Sequence, residues 1–225
     1  MTREIIVADD HPLFREALKG AVARSEAGVQ FVEADSVAGM LEAVERHPGA
    51  DLLLLDLNMP GAHGFNALAH VRGSHPQLPV VIVSADDDPQ TIAAALRYGA
   101  QGFIPKSTES GQIARAVATV LAGDLYTPAG YQPPRSIQPG AEDLEIARRL
   151  AELTPQQFRV LGMLCAGLLN KQIAYDLDVS EATVKAHVTA ILRKLGVTTR
   201  TQAVLAAGRL AVDRASVKPP PEEPE

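Results

Sequence analysis

Three carboxylates, one hydroxyl and one ammonium stand at the ends of apolar runs in this chain. Asp9 and Asp10 close "EIIVADD", and Asp56 closes "DLLLLD" before "NMPG" turns the chain away. Ser84 ends "LPVVIVS", and Lys106 follows "GFIP". Four leucines in a row read as a strand buried on both faces, and an ionised carboxylate at its end is costly without a partner. If the strands carrying them are parallel neighbours, the three acids meet at one edge. At an effective dielectric of about 20, two like charges about 4 Å apart repel by roughly 4 kcal/mol. Such a cluster calls for a cation. Oxygen-only ligands with open positions favour Mg²⁺, which keeps several waters and takes phosphate partners. A nucleophilic carboxylate, a metal site, a hydroxyl and a lysine suit a phosphoryl group carried on an aspartate. Lys106 and Mg²⁺ would neutralise charge on the phosphoryl oxygens, and Ser84 would donate to one of them.

Singly, each residue has a plainer explanation. Asp9 and Asp10 make a strand-end turn, Asp56 caps the turn behind it, and Lys106 is a solvated loop lysine. Their joint placement is what points to chemistry. An aspartate-nucleophile phosphatase usually wants a second acid two residues after the nucleophile, where this chain has Asn58, and the acidic pair lies on another strand. The six histidines show no metal-ligand spacing. His11 and His63 fall near the acidic edge, where solvated loop positions explain them equally well.

The elements that must position these residues follow from periodicity. Short β-rich runs at 4–8, 29–34, 51–55, 78–84 and 102–105 alternate with helical spacing near 12–25, 36–47, 64–74, 89–98 and 109–122. Five strands alternating with five helices predict an α/β fold, a parallel sheet covered on both faces. Ligands of such sheets sit beyond the carboxyl ends of the strands, at a switch in strand order. Residues 126–141 carry four prolines and no sustained period, so they read as a linker. A short helical pattern, "EDLEIARRLAEL", bridges it to a C-terminal half that is helical throughout. The end, "SVKPPPEEPE", reads as a disordered tail.

"VADDH", "LLLLDLNMPGAHG", "VVIVSA" and "GFIPKS" together resemble the receiver domain of two-component response regulators, over residues 4 to about 122. The resemblance implies Asp56 as phosphoacceptor. It implies Asp10 and Asp56 as direct Mg²⁺ ligands, Asp9 acting on metal-bound water, and the Asn58 backbone carbonyl completing the site. Ser84 and Lys106 take the switch and phosphate-pairing roles, and Phe103 matches the aromatic that moves with the switch hydroxyl. Phe103 lacks the hydroxyl of a tyrosine, and Pro105 stands before Lys106 where many receivers have proline after it.

In the helical half, "NKQIAYDLDVSEATVKAHVTAILRKLG" reads as helix, tight turn, helix, with Ser180 an N-cap for the second. Val184, Val188, Ile191, Leu192 and Leu195 share its inward face. Ala182, Ala186, Thr189 and Arg193 share the other, with Lys185 at its flank. Small residues permit close approach to DNA, basic ones reach phosphates or guanine edges, and methyls touch thymine. A surface helix with solvated charges is the plainer alternative. "LTPQQFRVL", "NKQIA", "VSEATVKAHV" and "RKLGV" resemble the four-helix LuxR-type DNA-binding domain over 150–212, which favours a recognition helix in the major groove. Gln157 stands where that family usually has Glu, and Thr189 where some members carry lysine. The expected DNA-contacting set is Lys171, Ser180, Thr183, Lys185, Ala186, Thr189, Arg193 and Arg200. By the same resemblance, the last helix, "TQAVLAAGRLAV", pairs two DNA-bound copies; simple core packing is the plainer alternative.

Charge divides the same way. Residues 1–125 hold 9 Lys plus Arg against 16 Asp plus Glu, a net of −7, whereas 150–210 hold 7 against 4, a net of +3. The whole chain, at −6, would have argued against DNA. The lone Cys165 excludes an internal disulfide. No apolar run approaches the ~18 residues of a membrane span, so a soluble, cytoplasmic protein is expected. The layout resembles a NarL/FixJ-type response regulator: receiver 1–125, linker 126–148, helix-turn-helix domain 149–212, tail 213–225. The implied partners are a histidine kinase or phosphotransfer protein, double-stranded DNA and a second copy when active. The chain is not an enzyme beyond Mg²⁺-dependent self-phosphorylation and dephosphorylation at the receiver. The competing expectation is a DNA-binding regulator whose receiver works unphosphorylated, through constitutive dimerisation or a ligand.

Overall fold

A computed structural model describes residues 2–24, 26, 28–132 and 141–210. The expected tail and part of the expected linker, 133–140, lie outside the described residues. The N-terminal half alternates β1 (Glu4–Ala8), α1 (Pro12–Ala23), β2 (Gln30–Ala34), α2 (Val37–Arg46), β3 (Leu52–Asp56), α3 (Asn66–Ser74), β4 (Val80–Ser84), α4 (Pro89–Arg97), β5 (Gly102–Pro105) and α5 (Ser110–Leu121). All strand pairs are parallel, in the order β2-β1-β3-β4-β5. The order reverses between β1 and β3, which places the switch point where the acids were expected. Register is matched there: Ala8 faces Leu55, so Asp9 and Asp56 leave the sheet side by side.

The leucine run explains itself by its neighbours. Leu52 and Leu54 pack with Leu18, Val22, Ile113 and Val117 of α1 and α5. Leu53 and Leu55 pack on the opposite face with Met40, Leu68 and Ile92 of α2, α3 and α4. Burying each leucine contributes about 1.5–3 kcal/mol, enough to hold a strand end that carries charge. Strand β4 starts at Val80, two residues later than the apolar run, because Pro79 has no N–H for the ladder. Tyr126, expected in the linker, bridges to Gly102 beside β5.

The helical half contains α6 (Ala141–Ala151), α7 (Pro155–Cys165), α8 (Asn170–Asp176), α9 (Glu181–Leu195) and α10 (Arg200–Gly208). Thr154 with Gln157, and Thr199 with Gln202, form reciprocal capping boxes, so Gln serves in place of Glu. Gly196 ends α9 at φ 68°, where a side chain would be strained. The apolar core on the α2–α3 face continues without a break into Leu150, Leu153, Phe158 and Leu161. The short bridging helix read from the sequence is therefore packed between the two halves as α6.

Candidate functional site

At the carboxyl edge of the sheet, Asp9 and Asp56 are buried and Asp10 is partly so. Ligand atoms of Asp9, Asp10, His11 and Asp56 all lie within 4.8 Å of one another. Lys106 Nζ reaches Asp56 Oδ2 at 2.9 Å and Asp9 Oδ2 at 2.7 Å. Burial works against its charge, but its close contacts with the two carboxylates outweigh it and hold its pKa above the ordinary 10.5. Phe14 supplies an aromatic face 4.8 Å from the same ammonium. The other oxygen of Asp56 accepts from Asn58 N at 3.1 Å, and Asp9 Oδ1 accepts from His11 N at 2.8 Å.

The residues present fit a hard divalent cation. Asp9 Oδ2 and Asp10 Oδ1 are buried oxygens that accept no well-angled hydrogen bond. Each has only an ion-pair neighbour, Lys106 for the first and His11 Nδ1 at 2.7 Å for the second. Buried carboxylate oxygens left in this condition are what a metal ion satisfies.

Ser84 is buried at the end of β4, and its Oγ accepts from Asp86 N at 3.1 Å. Lys106 N donates to Ser84 O at 2.7 Å, which ties the loop after β5 to the end of β4. Phe103, the expected switch aromatic, is buried in the core. Beside the acids, a cavity of about 450 Å³ is lined by Leu13, Phe14, Ala17, Asp56 and Lys106 among others, and Leu13 is 87 % exposed at its rim.

On α9, Val184, Ile191 and Leu195 are buried and Val188 and Leu192 half-buried, as the period requires. Ala182, Lys185, Ala186, Thr189 and Arg193 are exposed. The face read as DNA-contacting is thus uncovered even though the two halves touch.

Two family models match this chain. The response regulator receiver domain covers residues 5–118, and the bacterial regulatory proteins of the luxR family cover 151–207. The glycerol metabolism activator of Pseudomonas putida is 44 % identical over 209 residues, 91 % of this chain and 95 % of that protein. The nitrate/nitrite response regulator protein NarL of Escherichia coli K12 is 30 % identical over 201 residues, 89 % and 93 % of the two chains. The chain is a NarL/FixJ-type response regulator. It is a DNA-binding transcriptional regulator by family. RcsB of Salmonella enterica serovar Typhimurium, solved bound to promoter P1flhDC with the phosphomimetic BeF₃⁻, shares its fold. The TM-score is 0.55 at 21 % identity, over 94 % of this chain and 100 % of that one.

The structure brings together Asp9, Asp10, Asp56 and Lys106, with Ser84 and Asn58 beside them, and adds His11 and Phe14. Within the DNA set, Lys171, Lys185, Ala186, Thr189 and Arg193 are exposed. Ser180 and Thr183 spend hydrogen bonds on each other: Thr183 N donates to Ser180 Oγ at 3.1 Å, and their hydroxyls lie 2.9 Å apart. The Thr189 hydroxyl donates to Lys185 O at 2.9 Å. Arg200 donates from Nη2 to Leu168 O at 2.6 Å and to Leu164 O at 3.3 Å, so its guanidinium fastens the end of α7.

Two histidines of the receiver half cross to the helical half. His63 Nε2 lies 3.2 Å from Gly162 O. His70 is buried, with Nδ1 3.0 Å from Leu150 O and its ring stacked on Phe158 at 4.5 Å. Sequence reasoning missed the role of both, since a single histidine on a helix or loop carries no periodic signal. Among the described residues no helix is long and apolar enough to cross a membrane.

Proposed function

We propose that this regulator is controlled by phosphorylation of Asp56, with the phosphoryl group supplied by a partner histidine kinase or phosphotransfer protein. The observation that carries the reading is a buried carboxylate at the switch point with Lys106 2.9 Å away and further acids within 4.8 Å. An Asp56 oxygen attacks phosphorus, the P–N bond to the donor imidazole breaks, and the imidazole leaves after taking a proton. The Asn58 N–H and Lys106 each take one lone pair of a different Asp56 oxygen, which leaves each oxygen a second lone pair for attack. Lys106 then pairs with a phosphoryl oxygen, and the Ser84 hydroxyl, which can donate while it accepts from Asp86 N, donates to another. Asp9, Asp10, Asp56 and the Asn58 carbonyl would hold Mg²⁺, which supplies charge neutralisation at the transferred group. The exposed Leu13 and the cavity beside Asp56 offer the donor protein an apolar landing next to the nucleophile.

Phosphorylation adds about −1.5 to −2 charges. The regulator then binds DNA as a homodimer, with Lys185, Ala186, Thr189 and Arg193 of α9 in the major groove and Lys171 on phosphate. The boundaries that serve this are a receiver over 1–125, a connecting segment over 126–148 and a DNA-binding domain over 149–212. Its likeness to a glycerol metabolism activator makes glycerol-metabolism genes the first targets to examine. The test is a DNA titration of wild type and Asp56→Asn with Mg²⁺, each with and without beryllofluoride, on sites from a random pool. Tightening in wild type alone supports the reading. Equal binding by both proteins in every condition would direct attention instead to a constitutive dimer or a ligand.

A further inference from the structure

The outward row of α9 holds few hydrogen-bonding groups. At about 100° per residue, Ala182, Ala186, Thr189 and Arg193 fall within roughly 60° of one another, and all four are exposed. Each alanine offers only a methyl group. Arg193 carries the side-chain N–H donors of the row, with Lys185 at its flank. Val184, Ile191 and Leu195 hold the opposite face in the core, so the helix cannot roll to present another row without exposing them. What the middle of the row reads is therefore set by Thr189.

The Thr189 hydroxyl is not a donor toward solvent. It donates to Lys185 O at 2.9 Å, one turn back along the same helix. A hydroxyl has one proton, and this one is spent. A methyl group and the lone pairs of Oγ1 remain. A helical threonine divides between two χ1 rotamers, and the bond to Lys185 O fixes which one is taken. Guanine shows only acceptors, N7 and O6, in the major groove, so Thr189 has nothing to donate to it. Cytosine shows an amino donor but no methyl. Thymine shows a C5 methyl, and the adenine paired with it shows an N6 amino donor. Both remaining capacities of Thr189 therefore match one base pair. A lysine in its place would bring three donors and no acceptor, the complement of guanine.

We propose that Thr189 specifies a thymine in the half-site read by α9, by packing its methyl group against the C5 methyl of that base. The inference rests on the reading of α9 as the helix in the major groove, and adds which residue selects which base. Ala186, three residues before Thr189 on the same row, has no side chain long enough to hold the helix away from the base edges. Lys185 and Arg193 serve the phosphates and acceptor edges on either side, and Thr189 supplies the discrimination between them.

The test uses the full chain, with Mg²⁺ and beryllofluoride in every titration. A duplex is selected from a random pool by wild type, and each thymine of one half-site is replaced in turn by deoxyuridine, which differs only by the missing methyl. Wild type, Thr189→Val and Thr189→Ser are titrated with each duplex. At one thymine, wild type and Thr189→Val are expected to lose about fourfold in affinity, the share of one buried methyl group. Thr189→Ser, which keeps the hydroxyl and lacks the methyl, is expected to bind the thymine and deoxyuridine duplexes equally at that position. A half-site with no thymine whose methyl matters to wild type would overturn the proposal. So would a loss that Thr189→Ser shows in full, which would assign the methyl to another side chain. Lys185→Ala separates these failures from a failure of the underlying reading. If its salt dependence is flatter than that of wild type while deoxyuridine costs nothing, α9 is on DNA and only the Thr189 assignment falls. If the salt dependence is unchanged as well, α9 does not face the groove and both fall.

Discussion

Replacing Lys106 by methionine removes the one side-chain cation that touches both Asp9 and Asp56 among the described residues. The two carboxylates are buried, and Lys106 Nζ stands 2.7 and 2.9 Å from them. Breaking a buried ion pair from one side costs about 3–5 kcal/mol, because the remaining charge is left desolvated. The repulsion behind that figure has a similar size. At the 4.8 Å limit of the cluster, two carboxylates at an effective dielectric of about 20 repel by roughly 3.5 kcal/mol. For a chain of this size 1 kcal/mol moves the melting temperature by about 2–4 °C, so Lys106→Met should melt roughly 6–20 °C lower in EDTA.

A divalent cation should restore much of that loss. Binding at a hundred times its dissociation constant stabilises by about 2.7 kcal/mol. With Lys106 gone the cation meets a more negative site, so the Mg²⁺ response of Lys106→Met should exceed that of wild type. Adding Asp9→Asn to the variant removes one repelling charge and should raise its melting in EDTA. The assay is thermal unfolding of the full chain, with and without Mg²⁺, followed by a signal from the receiver half. Melting of Lys106→Met within about 2 °C of wild type in EDTA, or an unchanged Mg²⁺ response, would refute the electrostatic account of this edge.

Four other perturbations separate contact from scaffold. Lys185→Ala should weaken DNA binding and reduce the slope of log affinity against log salt by about 0.9, the share of one phosphate contact. Arg200→Ala should instead lower the melting temperature through lost bonds to Leu164 O and Leu168 O and leave that slope unchanged. Burial, with help from His75, holds the His70 pKa below its ordinary 6.5 despite the bond to Leu150 O. The folded form therefore binds fewer protons than the unfolded one. Its stability is complete above about pH 6.5 and falls as pH drops below that value, by at most about 1.4 kcal/mol per pH unit. The difference between wild-type and His70→Gln melting over pH 5–8 should show that slope only on the acid side. Gly196→Ala should lower stability by more than the ~1 kcal/mol of a strained cap, since it also displaces Arg149 from Leu195 O; chemical denaturation measures it.

The sheet and the acidic edge were legible because each rests on a local signal. Apolar runs of strand length marked all five strands, and the acids, Ser84 and Lys106 sit where those runs stop. The ends moved by one or two residues: β2 starts at Gln30, β3 runs Leu52–Asp56, and β4 starts after Pro79. The helix-turn-helix was legible from the period of Val184, Ile191 and Leu195 and from the Ser180 cap. What could not be read was contact between distant segments. Nothing in "NALAHVRGS" announces that His70 meets Leu150 or that Gly73 meets Ala151, eighty and seventy-eight positions along. Arg200 shows the same limit. A basic residue in a basic domain reads as a phosphate contact, and only the fold reveals two carbonyls of its own chain under the guanidinium.

The histidine contacts also bear on how a charge at Asp56 could reach the helical half. The route expected by resemblance runs through Ser84 and Phe103, both buried, at the end of β4 and in β5. A shorter connection is present. The loop after β3 begins at Asp56, is held to it by Asn58 N, and then touches the helical half twice. His63 faces Gly162 O, and Phe65 N donates to Leu210 O at 3.1 Å. Two hydrogen bonds of this kind contribute about 0.5–1.5 kcal/mol each, comparable to a tenfold change in an opening equilibrium. Loss of the Asn58 bond during phosphorylation would loosen the same loop that holds them.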